Sequence, residues 1–138
     1  IPIAIAHAKG KAKTRSGGTG ESMGGGNQDS FWNSMEEAEK SVVEALDGNI
    51  FYTNVMTRFS VDCACDGNPA EPDMHDIGIL ASYDPVALDQ ACVDLVYEAE
   101  DGASLVQRME SRNGLHTLEH AEAIGLGSRT YELVSIDE

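Results

Sequence analysis

Basic side chains are scarce in this 138-residue chain: nine Lys and Arg stand against 24 Asp and Glu, a formal charge of −15. Neutralising phosphates takes clustered Lys and Arg, so a general nucleic-acid binder is excluded. Long apolar runs are missing as well. No stretch approaches the roughly 20 residues of a membrane helix, and no signal-peptide core is present, so no membrane partner is expected. There are only three cysteines, Cys63, Cys65 and Cys92. An odd, sparse set speaks against a secreted disulfide scaffold, and a bridge across the one residue between Cys63 and Cys65 would be strained. Reduced thiols in a cytoplasmic protein are the expectation. What is present is enough to fold, since 41% of the residues are apolar, a content that rules out wholesale disorder.

The charge is divided unevenly. Residues 1–29 carry Lys9, Lys11, Lys13 and Arg15 against Glu21 and Asp29, a net +2, which leaves −17 for residues 30–138. The first part also holds Gly10, Gly17, Gly18, Gly20 and Gly24 to Gly26, whose ordering is entropically costly. The sequence therefore predicts a flexible, basic, Gly-rich segment over 1–29 and an acidic α/β domain over 30–138. Because residue 1 is Ile, a processed chain or a fragment of a longer protein is expected.

Periodicity supplies the elements. Ile1 to Ala6 reads as a short extended run. Asp29 or Ser30 caps a helix whose apolar positions are Phe31, Met35, Ala38, Val42 and Ala45–Leu46, with Glu36, Glu37 and Glu39 facing away and Gly48 at the left-handed stop. Residues 50–56 are β-branched and aromatic, hence a strand, and 76–82 form a second one. Between them, 57–75 is irregular and long enough to suggest function. Asp84-Pro85 opens a helix as N-cap and first-turn proline. Leu88, Ala91, Cys92, Leu95 and Val96 form its stripe, and Asp89, Asp94 and Glu98 face solvent. Helices follow near 103–111 and 117–124, the latter stopped by Gly125 with Leu126 beyond it, and 131–136 reads as a final strand. The expected fold is α/β: a small mixed or parallel sheet of three to four strands packed by three to four helices.

Four constellations bear on chemistry. Asp62-Cys63-Ala64-Cys65-Asp66 and, beyond it, Asp73 and His75 put thiols, carboxylates and an imidazole within one loop, a donor set suited to zinc or iron. The candidate ligands are Cys63, Cys65, Asp66 and His75. Parallel pairing of the two strands would bring Asp62, Asp66 and Asp84 to one crevice, as general acids or bases on a small substrate. His116-Thr117-Leu118-Glu119-His120 matches an inverted zinc-protease pattern, but lacks a third ligand. Ser16 to Ser22 has the glycine of a phosphate loop without its Lys-Ser/Thr ending.

Val61 to Pro72, then Asp76 to Cys92, together with Glu110 to Gly114 and Gly125 to Arg129, closely resemble the C-terminal part of domain-of-unknown-function family 362. Members of that family are often labelled iron–sulfur-centre proteins. The resemblance spans about residues 30–136. It implies a metal-binding or redox-associated role, with iron (iron–sulfur) or zinc as cofactor. Its implied partner is the remaining part of the parent chain or a redox protein. The two four-cysteine cluster runs that many members carry are missing here. Two alternatives stand beside that reading: an enzyme working in an acidic crevice, and a non-catalytic docking module.

Overall fold

The computed structural model describes residues 28–62 and 68–137. The Ile1–Ala6 run, the Gly-rich segment, Ser16 to Ser22, and the loop residues Cys63, Cys65 and Asp66 lie outside the described residues. Helix α1 spans Gln28–Ala45, β1 Tyr52–Met56, β2 Gly78–Ser82, α2 Pro85–Glu98, α3 Ala103–Ser111 and α4 His116–Ala123. No helix among the described residues is long and apolar enough to cross a membrane.

The sheet departs from expectation. Among the described residues it has two strands, paired antiparallel with Tyr52 opposite Ser82 and Met56 opposite Gly78. Antiparallel pairing puts the 57–77 connection at one end and Ser82–Asp84 at the other. The crevice expected to join Asp62 to Asp84 is therefore not formed, and Asp66 lies outside the described residues. Residues 131–136, read as a strand from the sequence, are exposed and pair with no strand among the described residues. Their anchor is side-chain chemistry instead: the Tyr131 hydroxyl donates to Asp94 at 2.7 Å, and Arg129 Nε donates to the buried Gln90 at 2.8 Å.

Helix α2 is the hub. It packs on β1 and β2 through one face, and on α3 and α4 through others, while α1 packs on α4. Two apolar clusters result. Val86, Leu118, Ala121 and Leu126 join α2 to α4, and Met56, Met74 and Val96 lie between α2, the strands and the loop. Cys92 belongs to the periphery of the second cluster, a core residue as its place on the apolar stripe predicts. Burial pushes its thiol pKa up.

The helix ends follow from local chemistry. Asp84 Oδ1 accepts from the Val86 and Ala87 amides at 2.9 and 3.0 Å, and Oδ2 accepts from the Ser128 amide at 2.8 Å. One carboxylate thus caps α2 and pins the turn after α4. Gly127 is required beside it, because a Cβ there would lie 2.0 Å from Asp84 Oδ1. At the end of α4, Leu126 N donates to Ala121 O and Gly125 N to Glu122 O, with Gly125 at φ +74°. This is a Schellman motif, and buried Leu126 supplies its apolar contact. Helix α1 ends on two left-handed residues: Gly48, at φ +69°, is left-handed as predicted, and Asp47 before it, at φ +50°, already takes the C′ position.

The strands are bare on their outer side. Tyr52, Asn54 and Met56 point toward α2, whereas Val55 and its cross-strand partner Ile79 are 64% and 71% exposed. Phe51 and Tyr83 continue that face, with rings in edge contact at 5.0 Å.

Candidate functional site

Residues scattered through the sequence converge where α1, β1, α2 and α4 meet. Glu36 and Glu39, three apart on α1, share a helix face. Tyr52 and Asn54, two apart on β1, share a strand face. Asp89 comes from α2. These five side chains form the polar wall of a cleft of ≈ 290 Å³ whose apolar floor includes Val86, Leu88, Leu118 and Leu126. A concave apolar pocket with a few convergent polar groups is the ordinary form of a small-molecule site.

Its electrostatics are unusual. Three carboxylates line the cleft, and among the described residues no Lys, Arg or His does. Glu36 is only 7% exposed. Burial, then the neighbouring Glu39 and Asp89 charges, push its pKa from 4.5 to about 7. Burial, followed by Asp89, also raises that of Glu39. Asp89 reaches water at the cleft mouth, yet the crowding around its carboxyl raises its pKa as well, opposed by a 2.7 Å hydrogen bond from Asn54 Nδ2. Tyr52 is pushed up by burial, then by Glu39 and Asp84. Its hydroxyl is enclosed and makes no hydrogen bond.

None of these groups was singled out from the sequence. The helix pattern sends Glu36, Glu39 and Asp89 to solvent, because a charged residue off the apolar stripe of a helix normally faces water; Asp89 is indeed exposed, whereas Glu39 is half-buried and Glu36 buried. The reason is that α2 packs on the strands, α3 and α4 at once while α1 packs on α4, so charges beside the two stripes meet across the gap between them. The proximity of Ser82–Asp84 to a site was the nearest hint, since Pro85 and Val86 line the cleft. Asp84 itself is a structural cap.

The sequence candidates fare differently. Asp62 Oδ1 accepts from Arg108 Nη2 at 2.8 Å and its Oδ2 from the Ala70 amide at 3.0 Å, so it closes the base of the loop. Arg108 Nε also bonds Val61 O at 2.7 Å. His75 is exposed and held by Asp101, which accepts from its backbone amide at 2.8 Å and lies 2.7 Å from Nδ1. That contact holds the Asp101 carboxyl below its ordinary pKa. His116 Nε2 pairs with Asn33 at 3.0 Å, and His120 Nε2 is enclosed, unbonded and 3.8 Å from Glu37. Among the described residues, no three His, Cys, Asp or Glu side chains converge closely enough for one metal ion. The two histidines of α4 thus brace α4 against α1.

The fold and cleft define a small acidic α/β domain with one carboxylate-lined recess. The model of the family DUF362, a domain of unknown function, matches residues 2–94. The chain belongs to that family. The match takes in the N-terminal segment and stops within α2, whereas the resemblance read from the sequence ran from about residue 30 to 136. A search of curated proteins and of solved structures finds no match.

Proposed function

We propose that this domain binds a small polar molecule in the cleft and exchanges a proton with it through Glu36. The observation that carries the reading is a buried carboxyl whose pKa is raised to about 7 in an accessible recess. A group half-protonated near neutrality is available as acid and as base, the condition for general acid–base catalysis at ordinary pH. Asn54 fixes Asp89 opposite it, and the apolar floor holds the body of the ligand. The test is a carbon-detected titration of the Glu36 side-chain carboxyl. A midpoint near 7 is expected; one near 4.5 ends the proposal.

A second reading keeps the metal role of Cys63, Cys65 and Asp66, with His75. The observation in its favour is the His75–Asp101 contact. A carboxylate accepting from Nδ1 fixes the tautomer that presents a bare Nε2 to an ion, the usual outer support of a metal-bound imidazole. Zinc or iron would be held by the thiolates, kept reduced in a cytoplasmic setting, and would supply a structural clamp or a redox centre. Metal analysis after anaerobic purification tests it: one equivalent is expected, lost in a Cys63→Ser, Cys65→Ser variant, and metal-free protein refutes it. The uncharged outer face of β1 and β2 supports the remaining part of the parent chain as a partner.

A further inference from the structure

The cleft holds a buried carboxyl and one enclosed hydroxyl without a hydrogen-bond partner. Glu36 is more than nine-tenths buried and lines the cleft. Tyr52 Oη has essentially no solvent contact and no partner. An enclosed polar group without a partner is costly, and in a native fold such a vacancy asks for a ligand. The chemistry of that ligand is constrained from three sides. Carboxylates at positions 36, 39 and 89, with no Lys, Arg or His among the described residues that line the cleft, repel anions. A bare divalent ion needs ligands converging on one point, which no three acidic, His or Cys side chains among the described residues provide. The floor of Val86, Leu118 and Leu126 is apolar and wants hydrocarbon.

We infer that the cleft takes a small organic ammonium ion, its alkyl part on the Val86–Leu118–Leu126 floor and its N–H groups directed to Glu36, Glu39 and Tyr52 Oη. An ammonium offers three donors spread over a wider radius than a metal ion's shell. It neutralises a carboxylate cluster that no Lys, Arg or His among the described lining residues neutralises. Binding then holds Glu36 ionised, so affinity rises as pH passes from 6 to 8, and each ligand bound at neutral pH displaces part of a proton. The inference rests on the cleft being the binding site and adds the class of molecule bound.

The experiment is an NMR titration of the whole 138-residue chain with n-butylammonium chloride, n-butanol and sodium butyrate. These probes share one hydrocarbon body and differ in the head group. Ionic strength is held at about 0.15 M, so that the diffuse attraction of an acidic protein for cations is screened. Butylammonium is expected to move the Asn54 side-chain amide and the Leu118 and Leu126 methyls saturably, at least about tenfold tighter than butanol, with butyrate silent. Glu36→Gln and, separately, Tyr52→Phe should each weaken it about fivefold or more, and Glu36→Gln should flatten the pH dependence. Equal response to butanol, shifts scattered over the surface, or no saturable response up to about 20 mM overturns the inference. A Glu36 midpoint near 7 without ammonium preference sinks this inference alone. A midpoint near 4.5 with selective ammonium binding sinks the proton-exchange proposal and leaves the ligand class standing.

Discussion

Replacing Glu36 by Gln is the substitution with the most to say, because its effect changes with pH in a direction fixed by linkage. The folded-state pKa is about 7 against 4.5 for the ordinary carboxyl. Below pH 4.5 the group is protonated in folded and unfolded chains alike and contributes nothing to the pH dependence. Between 4.5 and about 7 the unfolded chain gives up its proton while the folded one keeps it. The folded state then binds more protons, and stability falls as pH rises. Above about 7 the loss is complete. A displacement of this size corresponds to roughly 3 kcal/mol, and water in the open cleft screens it to about 2 kcal/mol. Glutamine keeps the shape and cannot ionise. The variant should therefore match the parent within about 0.5 kcal/mol at pH 4 and exceed it by about 1–2 kcal/mol at pH 8. Urea unfolding followed through Trp32, the single tryptophan, measures both. Equal stability differences at pH 4 and pH 8, or a less stable variant at pH 8, would refute the buried-charge account of the cleft.

Two structural predictions accompany it. Asp84→Ala removes the α2 cap and the Ser128 contact, and should cost about 2 kcal/mol. Gly127→Ala should cost a similar amount by forcing its methyl into Asp84, but much less in an Asp84→Ala background, so the pair should be strongly non-additive in denaturant titrations. Additive costs would show that the close approach at 127 is not what excludes a side chain. Arg108→Ala should speed hydrogen exchange at the Ala70 amide, which bonds Asp62, for a stability loss of about 1 kcal/mol, since that ion pair is partly exposed. Unchanged Ala70 protection would mean the loop base holds without the guanidinium.

Local signals were the legible part of the sequence. Asp84-Pro85, the Gly125–Leu126 stop, the four helices and the two central strands each follow from a short stretch whose chemistry acts on its own backbone. Strand direction did not follow, because β1 and β2 are separated by a connection long enough for either pairing. The 131–136 segment shows the opposite failure. Its Tyr, Leu, Val and Ile have strand propensity, but propensity makes no strand without a neighbour to pair with. The site was illegible for a third reason. Glu36, Glu39, Tyr52, Asn54 and Asp89 come from three elements, and each is unremarkable within its own element.

That dispersal also says what kind of site this is. A fold selected only for stability would place a Lys or Arg among three carboxylates, or replace the buried one with an uncharged side chain, and either change is a single substitution. The cleft instead keeps Glu36 ionisable beside Glu39 and Asp89, and offsets the cost with the Val86–Leu118–Ala121–Leu126 cluster beneath it. Sites that store unfavourable charge commonly trade stability for function. Glu36→Gln therefore separates the two accounts in one protein: it should raise stability at pH 8 while weakening ammonium binding and flattening its pH dependence. A variant that gained stability and still bound butylammonium with the parent's affinity would reduce the acidic wall to an accident of packing.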